Sequence, residues 1–193
     1  GAREAVAGGR SPPARDRDRR RPESRHAGCD AGTDGQRWRQ QSGLRAEHPS
    51  PGLKSAIEHL PRPGASVLDL GCALAANVDF FHPLGVRLRI ADFDRTVDEE
   101  EARDAIPSLW ERRLPHLLPF HPGERFDLVL AWDLPNYFSR ERWLAVARRI
   151  TERLTPGGAL HMLVRVGAEM PRQPCYYRIV EPGTLSEEIL SAT

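Results

Sequence analysis

The chain has 193 residues, 28 Lys+Arg against 27 Asp+Glu, and a formal net charge of +1. That length carries one domain with a real core; the +1 charge implies no strong partner preference, and the folded part is not expected to be a general nucleic-acid binder. The balance is uneven: residues 1–48 hold 11 arginines and 7 acids (+4), while residues 49–193 hold 17 basic and 20 acidic residues (−3). Three scattered cysteines, Cys29, Cys72 and Cys175, contain no C-x-x-C pair, and an odd count argues against a disulfide framework. Together with the lack of a signal-peptide core, this sets a cytoplasmic location as the expectation. No apolar run approaches the roughly 20 residues of a membrane span.

Residues 1–48 are rich in Gly, Pro, Arg and Asp, with only Val6, Trp38 and Leu44 as anchors. Such a segment buries too little apolar surface to offset its ordering entropy, so a disordered tail is expected. Its arginine run, Arg15 to Arg21, is diluted by Asp16 and Asp18 and reads first as a solvated face. The folded domain is expected over 49–193. It opens with a helix near Pro51 to Leu60, where Leu53, Ala56, Ile57 and Leu60 share one face. Pro61-Arg62-Pro63-Gly64 stops it.

Val67-Leu68-Asp69-Leu70-Gly71-Cys72 follows, a buried strand ending in an acid and a glycine. A helix is expected over Ala75 to Pro83, with Val78 and Phe81 facing the sheet and Asn77 facing solvent or capping the loop. A second strand, Val86 to Ala91, alternates apolar residues with Arg87 and Arg89, as expected near a sheet edge. It ends at Asp92, about twenty residues past Gly71, the spacing of an acid that accepts ribose hydroxyls. Asp94 is the alternative if the strand end lies two residues later. Asp98 to Glu101 reads as a solvated helix face. Helical pattern returns at Ser108 to Leu118, interrupted by Pro115. Phe126 to Trp132 is nearly continuous apolar, the mark of a strand buried on both faces. Ser139 is the expected N-cap of a helix to Leu154, with Trp143, Leu144, Val146, Ala147 and Ile150 inward. Pro156-Gly157-Gly158 turns into a fifth strand, Leu160 to Val166.

Strands alternating with helices imply a doubly wound, mostly parallel sheet. Ligands in such sheets bind beyond the carboxyl ends of the strands, where strand order reverses. That crevice would collect Asp69 to Ala75, Asp92, Phe93 and the loop Trp132 to Tyr137. The seven histidines form no metal constellation, and neither a G-x-S-x-G elbow nor a G-x-x-x-x-G-K-[ST] phosphate loop is present.

Three motifs in order, Val67 to Cys72, Phe126 to Asp133 and Leu154-Thr155-Pro156-Gly157-Gly158, resemble those of class I S-adenosylmethionine-dependent methyltransferases. The resemblance runs from about Val67 to Val166. It implies a Rossmann-like fold, S-adenosyl-L-methionine as cofactor, and methyl transfer to an unidentified acceptor. It also implies cofactor contacts from Asp69, Gly71, Cys72, Ala73, Asp92, Phe93, Trp132 and Asp133, with Asp133 and Tyr137 as candidates to orient or deprotonate the acceptor. Two departures stand out. The family's second and third glycines are Ala73 and Ala75 here. After Val166 only one short strand, Tyr176 to Val180, is expected, so the family's closing antiparallel hairpin is expected to be incomplete. A non-catalytic binding or scaffold module is therefore the alternative. An NAD-dependent oxidoreductase fits less well, because the loop lacks G-x-G-x-x-G.

Overall fold

In the computed structural model, residues 45–93, 110–166 and 174–188 are described here. The expected tail up to residue 44, Asp94, and Asp98 to Glu101 lie outside them. Among the described residues there are seven strands and four α-helices. They are β1 (Arg45–Pro49), α1 (Pro51–Glu58), β2 (Ser66–Asp69), α2 (Ala75–Phe81), β3 (Arg87–Ile90), α3 (Trp110–Leu117), β4 (Phe126–Leu130), α4 (Arg140–Thr151), β5 (Leu154–His161), β6 (Tyr176–Glu181) and β7 (Thr184–Glu188).

Four strands form a parallel sheet in the order β3-β2-β4-β5. From β2 the chain steps to β3 on one side and later to β4 on the other, so the reversal lies between β2 and β4. The register aligns the carboxyl ends: Asp69 lies beside Ile90 and Leu130, and Leu130 beside His161. Gly71, Asp92 and Trp132 therefore follow at one level.

Side-chain alternation divides the core, since successive residues of a strand point to opposite faces. Leu68, Leu70, Val129 and Ala131 pack with Leu114 and Leu117 of α3 and Val146 and Ile150 of α4. Val67, Leu128, Leu130 and Trp132 point the other way, onto Leu53 and Ile57 of α1, Phe81 of α2, and Tyr177, Ile179 and Leu185 of the small sheet. Each fully buried Leu or Ile of these clusters contributes about 1.5–3 kcal/mol relative to exposure. Ser139 caps α4 as expected, its Oγ accepting from the Arg142 N–H at 3.3 Å. β3 is an edge strand, which explains its alternating arginines.

Several expectations are corrected. β6 and β7 form a complete antiparallel hairpin around Pro182-Gly183, with Gly183 at φ +98. The closing hairpin is thus present, yet it does not extend the parallel sheet. It joins β1 in a separate three-stranded sheet, order β1-β7-β6, and β5 remains the outer strand of its own sheet. β1 starts at Arg45, ahead of the expected domain start at residue 49. The helix over Trp110–Leu117 runs through Pro115. β5 begins at Leu154 and absorbs Pro156-Gly157-Gly158 as an irregularity between its pairings to Phe126 and Leu128. Val78 and Leu144 face outward (42% and 44% exposed), and Asn77 is buried.

Candidate functional site

The loop after β2 is held by its own acid. Asp69 is fully buried, and its Oδ1 accepts from the Gly71 N–H at 2.9 Å and from the Trp132 indole N–H at 2.6 Å. A Cβ on Gly71 would sit 2.8 Å from the Trp132 ring. Glycine here permits close approach, and the approaching group is an indole of the same chain. Ala73 and Ala75 are not at positive φ, so neither carries the strain of a left-handed alanine. Ala73 is exposed, and Cys72 lines the crevice.

Asp92, just after β3, meets the loop through its backbone and lies outside the cavity lining. Its N–H donates to the Gly71 carbonyl at 3.2 Å, and its backbone is left-handed at φ 47. Trp132 is left-handed at φ 49. Phe93 does not reach the crevice. It is fully buried on the helix side, with its ring centroid 6.1 Å from that of Phe138.

Segment 174–177 and the start of β6 cover the crevice. The Tyr177 ring stacks on Trp132 at 5.7 Å and 8° between planes. Asn77 clamps β6: its Nδ2 donates to the Tyr177 carbonyl at 3.1 Å, and its Oδ1 accepts from the Ile179 N–H at 2.9 Å. What remains between Gly71, Cys72, Trp132, Asp133 and Cys175 is a cavity of about 10 Å³. That is room for about one water, against roughly 300–1,000 Å³ for a small-molecule site.

Asp133 sits beneath this cover, fully buried. Its Oδ2 accepts from the Cys175 N–H at 3.2 Å and from the Tyr137 hydroxyl at 3.4 Å, while Oδ1 has no hydrogen-bond partner. Burial raises the Asp133 pKa, against the pull of the Cys175 N–H and the Arg165 charge. Burial, and next the Asp133 charge, pushes Tyr137 up as well. Burial pushes the Cys175 thiol up to about 12, so it stays protonated. Arg165 pairs with Glu187 of β7 and donates to Cys175 Sγ at 3.3 Å and the Tyr177 hydroxyl at 3.4 Å. Asn136 bridges the loop: its Nδ2 donates to the Asp133 and Leu163 carbonyls, and its Oδ1 accepts from the Arg165 N–H.

The fold thus brings together Asp69, Gly71, Cys72, Asp92, Trp132 and Asp133, with Tyr137 beside Asp133. It leaves Ala73 and Asp92 outside the cavity lining and Phe93 in the core. Sequence reasoning missed Asn77, Arg165, Cys175, Tyr177 and Glu187. Four of these lie in or pair with the second sheet, whose hairpin was not expected. No protein-family model, curated protein or solved structure matches this chain. Fold and site therefore define an α/β domain with a parallel sheet and a self-filled crevice at its switch point. Among the described residues no cluster of His, Cys, Asp or Glu could hold a metal, and no helix is long and apolar enough to cross a membrane.

Proposed function

We propose that this domain binds S-adenosylmethionine at the carboxyl ends of β2, β3 and β4 and directs methyl transfer to an acceptor. The observation that carries the reading is stored strain. Asp92 and Trp132 are the non-glycine residues at positive φ among those described, and both border Gly71 at the switch point. Each left-handed residue costs about 1–2 kcal/mol, and such residues collect at ligand sites. The donor set also fits: Asp92 offers a carboxylate to a ribose, and Gly71 gives backbone access once the indole moves. The space does not fit while the Trp132–Tyr177 stack is closed, so binding requires that stack to open.

The cofactor supplies an activated methyl group, which leaves the protein to orient it. Asp133 is a positioning residue in this reading, because it is sealed from solvent and ties Tyr137 to Cys175.

A second reading is favoured by the same stack. A crevice filled by its own aromatic side chains suits a non-catalytic module. Calorimetric titration of the full chain with S-adenosylhomocysteine, with NAD as comparator and Asp92→Ala as variant, separates these readings after circular dichroism confirms folding. Micromolar binding lost in the variant supports the methyltransferase reading. Binding of neither ligand overturns it and supports the module, whereas NAD binding alone supports an oxidoreductase.

A further inference from the structure

The opposite end of the sheet carries a second feature. Three guanidinium groups converge on the half-buried Phe120 ring: Arg89 at 5.4 Å from its centroid, Arg149 at 5.0 Å and Arg153 at 5.4 Å. Each guanidinium is attracted to the negative face of the ring. Two cations on one ring also repel each other. The ring distances place the Arg149 and Arg153 guanidiniums no more than about 10 Å apart, within a screening length at 0.1 M salt.

Among the described residues, one of the three guanidiniums has a carboxylate partner and two do not. Arg89 pairs with Glu124. Arg149 donates to the backbone carbonyls of Leu118 at 2.8 Å and Pro115 at 3.4 Å. Glu152 is near enough to favour the Arg149 charge, yet neither Arg149 nor Arg153 forms an ion pair among the described residues. Burial, and next the Arg153 charge, lowers the Arg149 pKa, a sign of crowding.

A groove of about 410 Å³ opens beside the ring at the amino ends of β2, β3 and β4, lined in part by Arg87, Arg89 and Arg125. Arg89 belongs to both groove and ring. Of the groove's two acids, Glu124 is held by Arg89, and Asp127 accepts from the Ser66 N–H and the Thr155 hydroxyl at 2.8 Å each. Three arginines thus line a cavity of ligand size whose two carboxylates are committed, and Arg89, shared with the Phe120 ring, links it to Arg149 and Arg153.

We infer that Arg149 and Arg153, backed by Phe120 and continuous with the Arg87–Arg89–Arg125 groove, bind a phosphate or phosphodiester group. Guanidinium forks match phosphate oxygens two at a time, and a bound dianion relieves the repulsion that the ring alone leaves. This site lies at the end of the sheet opposite the crevice and does not depend on methyl transfer.

The test uses the full chain at 50 mM salt with two probes, inorganic pyrophosphate by calorimetry and a labelled single-stranded 12-mer oligoribonucleotide by anisotropy. Arg153→Gln and the pair Arg149→Gln/Arg153→Gln are compared with a control pair on exposed α4 positions, Arg140→Gln/Arg148→Gln. The expected result is binding of at least one probe, weakened about 5-fold by the single change and about 10-fold or more by the pair. The control is expected to stay within about 2-fold. Because Arg149 also holds backbone carbonyls, the single Arg153 variant keeps the test valid if the pair unfolds. Pyrophosphate binding identifies a small phosphate ligand. Oligonucleotide binding alone, falling by about 0.7 log unit per phosphate contact per decade of salt, identifies a phosphodiester chain. Absence of binding by both probes, or equal loss in the control, overturns the inference.

Discussion

Replacing Tyr177 by Ala removes the lid of the crevice and separates two effects that pull in opposite directions. Tyr177 is 4% exposed, stacks on Trp132 at 5.7 Å, and meets His48 edge-on at 6.4 Å. Truncating a buried aromatic costs about 3–5 kcal/mol, of which the stacked pair supplies roughly 0.5–1.5. Taking about 3 kcal/mol, and about 2–4 °C per kcal/mol for a domain of this size, the melting temperature should fall by roughly 6–12 °C. Ligand binding should move the other way. A ligand that needs the open state is weakened by the fraction closed, so removing about 1–2 kcal/mol of closure strengthens binding about 5- to 30-fold. Thermal unfolding followed by circular dichroism reads the first effect, and calorimetric titration with S-adenosylhomocysteine reads the second. A destabilised Tyr177→Ala protein whose affinity is unchanged would refute the idea that the aromatic pair competes with a ligand.

Three further outcomes follow from the same geometry. Asn77→Leu leaves the Tyr177 carbonyl and the Ile179 N–H without partners in a buried setting. At about 1–3 kcal/mol for each unsatisfied group, urea unfolding should show a loss of about 2–6 kcal/mol. Gly71→Ala places a methyl 2.8 Å from the rigid indole and should cost about 1–3 kcal/mol, with a measurable change in near-UV circular dichroism from Trp132. Asp133 has a folded pKa above its unfolded one, so it favours the fold when protonated and loses that advantage as pH rises from the usual carboxylate range through its raised pKa. Asp133→Asn keeps an acceptor for the Cys175 N–H, so it should flatten that part of the stability–pH curve without lowering stability at neutral pH; a curve parallel to wild type would contradict it.

The sheet that builds the crevice was legible because its central strands are buried on both faces. Val67 to Leu70 and Phe126 to Leu130 read as apolar runs, and their ends placed Gly71 and Asp92 side by side as expected. Ser139 was legible through local chemistry, whereas Pro156-Gly157-Gly158 read as a turn and is an irregularity within β5. The second sheet was not. β1 reads Arg-Ala-Glu-His-Pro and shows no apolar alternation, since it pairs only with β7. β7 offers one large apolar residue, Leu185. The Pro182-Gly183 pair was the available signal for its hairpin. Asn77 was misjudged because a seven-residue helix has little periodicity of its own. Its rotation is set by the two hydrogen bonds to β6, which bury Asn77 and Phe81 and turn Val78 out. The filling of the crevice was hidden for the same reason: Trp132 reads as a strand end, and its partner Tyr177 comes from 45 residues further along the chain.

The central claim is that the crevice between Gly71, Asp92 and Trp132 is a cofactor site held closed by the aromatic pair. A crystal structure of the full chain grown with S-adenosylhomocysteine tests it most directly. The account predicts ligand against Gly71, its ribose on the Asp92 carboxylate, and the Trp132 indole swung away from Asp69 and Tyr177. Trp132 still stacked on Tyr177 and bonded to Asp69 in well-ordered crystals at saturating ligand, with no ligand between Gly71 and Asp92, would contradict it.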